Sequence, residues 1–573
     1  MRKTIAENYA VLLADWVKHS QRHLYTCRDD PALLCYGAGE HGHWGTHTHQ
    51  KAMAAFAVAA AEPSIDWDAR GMNRGEVYAQ ALAMLRYTLR THVSGDTPCT
   101  DGGHWGHNWI YALGMERMMH GVGAMEERLT EADRAALRRV LLSECDWLLD
   151  DYEVKAGLWS DNRPESNIWN GAILYRTALL FPDHERAAAY RKKDDCFFIN
   201  GISVPSDENS PVTYNRRAVS TLFKGANFFE SFALNHHNYL NIGYMVICLS
   251  NIAMLHFAFR QANEAPPAAL YHHADQLWQL VRTLTFEDGR LLRIGGDTRV
   301  RYCYCQDYAL PVWQFIEDWL GEDCAPLMEG WLSLITQETM AGGDGSFLSA
   351  RCGSLEALSP VYYTRLESDR AASISMALYW NRVLAPKTEA CKVAAVHSSW
   401  YDHDMGAAYV AGSRRLASFV WRASENPQGL CLPPTDSSLA EWRYNLSGRV
   451  EGIGLLNTER VESHRTRMFD GGFLTYGCTR MESDQFLAEG QQMEILGCKQ
   501  VAFAALPDDR TVLCLQYATA AGRYCLRSVS GIHWNVPNDL FNGQRQYISP
   551  AGQTILQGGG HKQSETIPLG WRR

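Results

Sequence analysis

No tract of this 573-residue sequence is low in complexity, so little of the chain is expected to be disordered. It lacks an uninterrupted run of about 18 apolar residues, the length a membrane helix needs. The start, Met1-Arg2-Lys3-Thr4-Ile5-Ala6-Glu7-Asn8, lacks the apolar run and cleavage site of a signal peptide. The chain as written is therefore expected to be cytoplasmic, with no membrane partner. A basic excess is missing too: 54 Lys and Arg stand against 64 Asp and Glu, for a net charge of −10. That balance argues against nucleic acid as a partner, because phosphate backbones select cationic surfaces. The 16 Cys have no repeated spacing, which excludes a disulfide framework and leaves buried thiols as the expectation. Cys303-Tyr304-Cys305 is neither a metal nor a redox spacing. Asn445-Leu446-Ser447 matches a glycosylation acceptor, a signal that carries little weight without secretion.

What the chain has is length and aromatic rings. Its length calls for two or three domains. The 18 Trp and 26 Tyr exceed what cores usually need, and flat rings with a polar edge suit stacking on sugar faces. To about residue 385 the apolar spacing is helical, as in 51–61, 76–89, 127–149 and 243–259. Past about residue 395 it turns to short β-rich runs, such as Leu416-Ala417-Ser418-Phe419-Val420-Trp421, parted by Gly, Pro, Asp and Asn. With Pro386 as the interruption, the spacing predicts a helical domain over 1–385 and an antiparallel β-sandwich over 386–573.

A weak repeat organises the helical half. Gly42-His43-Trp44-Gly45 and Gly103-His104-Trp105-Gly106 each precede an expected helix, and Gly157-Leu158-Trp159-Ser160 precedes a third. The period suits one helical hairpin, and several such hairpins in a ring make an incomplete (α/α) toroid. The Gly-rich starts would then share one face, where helix N-termini favour anions. His43, Trp44, His104, Trp105 and Asn108 are on this ground candidates for binding a saccharide.

Abstracting the C5 proton of a uronate takes carboxylate neutralisation, a base, and an acid for the leaving oxygen. Asn167 opens an apolar helix, as either a cap or a functional amide. The segment 228–244 is read as the next helix. It crowds Asn235, His236, His237, Asn238, Tyr239 and Tyr244 together, a group too polar to bury without partners. On a helix, His236 with Tyr239 is an i,i+3 pair and His236 with Tyr244 lies two turns apart. After a Gly295-Gly296-Asp297 turn come Arg299, Arg301 and Tyr302, the local cations an acidic chain needs to hold an anionic substrate.

The Asn167 helix ending in Leu179-Leu180-Phe181-Pro182, the Phe229-Glu230-Ser231 to Asn235-His236-His237 segment and the Gly-Gly-Asp turn, in this order before a β-rich half, resemble the heparinase II/III-type polysaccharide lyases and their alginate- and chondroitin-lyase relatives. The resemblance implies an α/α toroid plus a β-sandwich. It puts Asn167 in the place of the carboxylate-neutralising Asn, with His236, Tyr244 and Arg299 or Arg301 matching the His, Tyr, Arg order of the chondroitin-lyase relatives. Those proteins commonly have Tyr before the His of the second motif; here Asn235 stands there, which leaves the Tyr role to Tyr239 or Tyr244. The expected activity is carbon–oxygen lysis of a uronic-acid-containing saccharide without a required cofactor.

Two other readings are carried. A glycoside hydrolase on the same toroid would need a carboxyl pair drawn from Asp161, Glu230, Asp297, Glu367 and Asp369. A non-catalytic binder of acidic saccharides would keep the aromatics and Arg without turnover. His43, His47 and His49, with Glu40 nearby, are candidate ligands for a divalent metal, although their spacing matches no fixed zinc motif.

Overall fold

The computed structural model describes residues 4–557 apart from 29, 297–301, 385–395, 425, 440–444, 485–492, 524, 536–543 and 550–551. The helical half contains α1 (Ile5–Ser20), α2 (His43–Ala61), α3 (Arg74–Thr91), α4 (Tyr111–Ala124), α5 (Glu131–Asp150), α6 (Pro164–Leu180), α7 (Ala187–Ile199), α8 (Val219–Leu222) and α9 (Ile242–Ala262). It continues through α10 (Ala274–Thr283), α11 (Tyr302–Asp307), α12 (Ala309–Leu320), α13 (Ala325–Gly342), α14 (Ser349–Leu358) and α15 (Pro360–Val383).

Local signals set many of these starts. Thr4 with Glu7, and Thr130 with Asp133, form capping boxes on α1 and α5, Asn73 caps α3 and Asn241 caps α9. Packing then orders the helices into two layers. In the inner layer α2, α4, α6, α9 and α12 follow side by side, and α15 returns against α2. The outer layer of α1, α3, α5, α7, α10 and α13 covers them, which is the α/α toroid. Inner helices are buried nearly all round because both sides are covered, and the polar groups of α2 and α15 are buried with them. α9 is by length and composition apolar enough to cross a membrane, yet it is wholly buried among its neighbours.

Three short hairpins interrupt the helices: β1 (Leu24–Thr26) with β2 (Leu34–Tyr36), β3 (Thr213–Tyr214) with β4 (Arg217–Ala218), and β5 (Asn235–His236) with β6 (Tyr239–Leu240). The last overturns the helix expected over 228–244. His237 (φ 58°) and Asn238 (φ 67°) form a two-residue turn with both residues in the left-handed region, and α9 starts only after Asn241.

After α15 come β7 (Ser399–Asp402), β8 (Ala407–Ala411), β9 (Leu416–Val420) and β10 (Gln428–Leu432), one antiparallel sheet in sequence order. Beyond β11 (Arg449–Gly452), a second sheet holds β12 (Asn457–Phe469), β13 (Gly472–Ser483), β14 (Glu494–Ala505) and β15 (Val512–Ala520). β16 (Leu526–Ser530) pairs with β11, and β17 (Gln544–Ser549) with β18 (Gly552–Gln557). Ala408, Phe419 and Trp421 on the first sheet side meet Phe473, Val501 and Phe503 of the second, so the two sheets share a dry layer, as a β-sandwich requires.

The two halves are joined by hydrogen bonds. Leu240 N–H donates to Arg422 O at 3.0 Å, Gln428 Nε2 to Ile294 O at 3.0 Å, and Ser231 Oγ to Asp402 Oδ2 at 2.6 Å. The sandwich thus braces the segments on either side of the β5–β6 hairpin.

Candidate active site

A cavity of about 540 Å³ opens at the N-terminal ends of α2, α4, α6 and α9. Its aromatic lining is Trp44, Trp109, Trp159, Trp169, Tyr244 and Tyr304. The Gly-Trp segments therefore each give one Trp to this face, but the second does so through Trp109 and not Trp105. The reason is register. Gly42 is the N-cap of α2, so Trp44 lies in its first turn, whereas Gly103–Gly106 ends five residues ahead of α4. Trp105 is turned into the core, where its Nε1 donates to Thr88 O at 3.0 Å. His104 is exposed and does not line the cavity; nor does Asn108, whose Oδ1 accepts the Ile110 N–H at 3.3 Å in the turn before α4. These three candidates are withdrawn from the site.

The hairpin turn delivers the imidazoles. His236 is buried, and its ring centroid lies 4.0 Å from that of Tyr244. His236 Nδ1 is 2.9 Å from Asn162 Oδ1, so the amide oxygen accepts the proton on Nδ1 and the lone pair is on Nε2. His237, at the turn, has Nε2 3.2 Å from the Tyr244 hydroxyl. His236 and Tyr244 are thus neighbours, though for a reason other than helical spacing: Tyr244 stands in the first turn of α9 and the hairpin folds back over it. Tyr239, on the partner strand, is 3% exposed and does not line the cavity, which corrects its candidacy. His237, Asn238 and also Asp161 (φ 54°), which lines the same wall, hold left-handed backbone, a cost of about 1 kcal/mol or more each.

Asn167 does not reach the cavity. Pro164 occupies the first turn of α6, which places Asn167 inside the helix and fully buried, its Nδ2 donating to Lys155 O and Asn200 O at 2.7 Å each. It ties two loops together and is no carboxylate ligand. Asn162, Asn235 and Asn238 are the amides on the wall; the Asn162 Nδ2 is spent on Gly157 O and Asn227 O, leaving its oxygen to orient His236.

Glu165 is the group the sequence reading passed over. It is 4% exposed and lines the cavity, its Oε1 lies 3.9 Å from His236 Nε2, and its Oε2 has no hydrogen-bond partner among the described residues. Burial pushes its carboxyl up to about 7, against a smaller pull downward from its own backbone N–H and Arg163. A Glu in a first helical turn ordinarily reads as a dipole complement, so nothing in the pattern marked it.

Positive charge lies at the rim and beneath the floor. Arg163 stacks 3.9 Å above the Trp109 ring and Arg365 3.3 Å from the Trp44 ring centroid. Behind Tyr304, Arg117 Nη2 donates to the phenol oxygen at 3.3 Å, while Lys51 and Arg117 share the buried Asp369 at 2.6 and 3.6 Å. Burial, opposed by Asp369, brings the Lys51 ammonium down to about 7. Arg299 and Arg301 lie outside the described residues, as does Asp297; of Tyr302 and His43 only the backbone is described.

Among the carboxyl candidates that lie in the described residues, Asp161 alone lines the cavity. Glu230 holds Ser206, Glu367 accepts from Trp16 Nε1 and the Phe347 and Leu348 amides, and Asp369 belongs to the buried cluster. His49 is no metal ligand: its Nδ1 accepts the Tyr36 N–H at 3.2 Å and its Nε2 bonds Met84 O at 2.8 Å, so neither nitrogen is left. His47 is buried against Trp44 and Tyr111, and no gathered set of metal-type ligands among the described residues contains it.

No protein-family model matches this chain, and no curated protein does. Several solved structures are similar to it, two of them as follows. Paenibacillus xanthan lyase aligns with a TM-score of 0.47 and 12% identity, covering 88% of this chain and 45% of that one. Streptomyces coelicolor A3 chondroitin AC lyase in complex with chondroitin sulphate aligns with a TM-score of 0.47 and 13% identity, covering 95% of this chain and 69% of that one. The chain thus spans less than half the length of the xanthan lyase.

Proposed function

We propose that this chain is a lyase that cleaves a uronic-acid-containing poly- or oligosaccharide by β-elimination. The observation that carries the reading is the His236–Tyr244 pair, ring centroids 4.0 Å apart, on the wall of a Trp-lined cavity. On this reading a sugar stacks on the indoles while His236 Nε2, its lone pair fixed by the Asn162 contact at Nδ1, takes the C5 proton. The electron pair of the broken C5–H bond forms the C4–C5 double bond, and the C4–O bond breaks. The departing oxygen receives its proton from the Tyr244 hydroxyl, and the proton taken up by His236 returns through solvent to the phenol oxygen, which lies 3.2 Å from His237 Nε2.

Arg163, with Arg299 or Arg301, would neutralise the uronate carboxylate, a role Asn167 gives up through its burial. No cofactor enters this scheme. A panel of uronate oligosaccharides tests it: unsaturated, ultraviolet-absorbing product should form, and His236→Ala and Tyr244→Phe should abolish or sharply slow its formation. Full rate in both variants would remove the mechanism.

A second reading is favoured by one observation. Asp161 and Glu165 line the same cavity, the Glu165 carboxyl pushed up to about 7 by burial, and a pair of carboxyl groups is what a glycoside hydrolase uses. It predicts two saturated products and loss of activity in Glu165→Gln.

A further inference from the structure

Asp207, His272 and His273, none of which lines the cavity, meet where the loop after α7 touches the turn into α10. The Asp207 carboxylate is 2% exposed. Its Oδ2 lies 3.1 Å from His272 Nε2 and its Oδ1 3.0 Å from His273 Nε2, and the two imidazole centroids are 4.0 Å apart. Two rings aim the same nitrogen at one buried carboxylate. Around a tetrahedral zinc-type ion, ligands at about 2.0–2.1 Å sit roughly 3.3 Å from each other, close to the spacing found here.

We propose that Asp207, His272 and His273 bind one divalent cation of the zinc type, with a water completing its shell. Each ring must then carry its proton on Nδ1 and offer the Nε2 lone pair. For His272 the acceptor of that proton is present: the Tyr214 hydroxyl stands 3.3 Å from His272 Nδ1, as outer partners of metal-bound imidazoles do. The His273 side chain is 22% exposed, so one side of the site opens to water. Its backbone is held at φ 56°, which turns the imidazole onto the carboxylate.

Other clusters fit less well. In the set of His92, His107 and Glu144, His107 Nε2 is 4.0 Å from the carboxylate and 3.0 Å from Ser143 Oγ. In the set of His19, His23 and Glu356, the Arg22 guanidinium competes for the carboxylate at 4.0 Å.

An ion here would fasten a loop that matters elsewhere. Ser206 bonds Glu230, and the Phe232 ring packs 5.4 Å from that of His273, four residues before His236. The ion would thus tie the approach to the β5–β6 hairpin onto α10. The proposal does not depend on the reaction catalysed.

The test uses the full chain, stripped with a chelator, dialysed and titrated with Zn²⁺ by calorimetry, with metal content measured after gel filtration. One retained equivalent and a raised Tm are expected for the wild type. His273→Ala and His273→Asn, at a partly exposed position, should lose that equivalent and the Tm rise while keeping the wild-type circular dichroism spectrum. Absence of a retained equivalent in the wild type, or its survival in both variants, would overturn the site.

Discussion

The centre of the toroid and the wall of its cavity both bury charge, and they treat it differently. In the centre the charged groups are paired. Arg370, fully buried, donates to Asp307 at 3.0 Å and to Glu338 at 2.7 Å, and Arg176 grips Glu116 with two hydrogen bonds of 2.7 and 2.8 Å. On the wall, Glu165 Oε2 has no partner among the described residues, and the hairpin turn carries left-handed backbone at His237 and Asn238. Buried charge is costly unless paired, so the ion pairs of the centre contribute to stability, while Glu165 on the wall faces a cavity that a ligand can enter.

Changes to the two regions should therefore move different observables. The largest effect is expected in the centre. Arg370→Leu strands two buried carboxylates, and chemical denaturation should show a loss of about 3–5 kcal/mol. A loss below about 1 kcal/mol would erase the distinction.

Glu165 should behave in the opposite sense. Its folded-state pKa of about 7 is above the ordinary 4.5, so the folded chain holds an extra proton between these values. The stability this contributes is whole below about pH 4.5 and lost as pH rises through about 7. Relative to the wild type, Glu165→Gln should gain up to about 3 kcal/mol between pH 4.5 and pH 8, read from denaturation midpoints across pH. A flat difference would mean the carboxyl is ordinary.

Tyr244→Phe should lower kcat by about 10²-fold, close to 2.7 kcal/mol, with little change in Tm. An equal loss of stability would move Tyr244 from the wall to the centre. The smallest effect belongs to Trp159, 48% exposed at the cavity rim. Trp159→Ala should raise KM several-fold, about 1 kcal/mol, and leave stability within about 0.5 kcal/mol.

The same contrast explains what was legible in the sequence. Helices α2, α3, α5 and α9 and strand β9 fall on the runs whose apolar period announced them. Covered faces leave a periodic mark. The wall leaves none, because its residues come from loops, a short hairpin and the beginnings of several helices, with no single period running through them. His236 and Tyr244 were identified through composition but placed on a helix that does not exist. The turn signal was present all the same: Asn and His tolerate left-handed backbone, and Asn241 ahead of an apolar run is a helix cap. Likewise Pro164 marks the first turn of α6 and so puts Asn167 inside the helix, leaving Asn162 before it. Trp109 in place of Trp105 depends on where α4 begins, a boundary that periodicity fixes only loosely. Glu165 had no signal at all, since its character comes from burial by neighbours distant in sequence.

The most direct test of the central claim is the mass balance of the reaction with a uronate-containing oligosaccharide. The account predicts two products whose masses sum to that of the substrate, one carrying a new double bond, with none formed by His236→Ala. Products that sum to substrate plus one water, or an undiminished rate in His236→Ala, would contradict it.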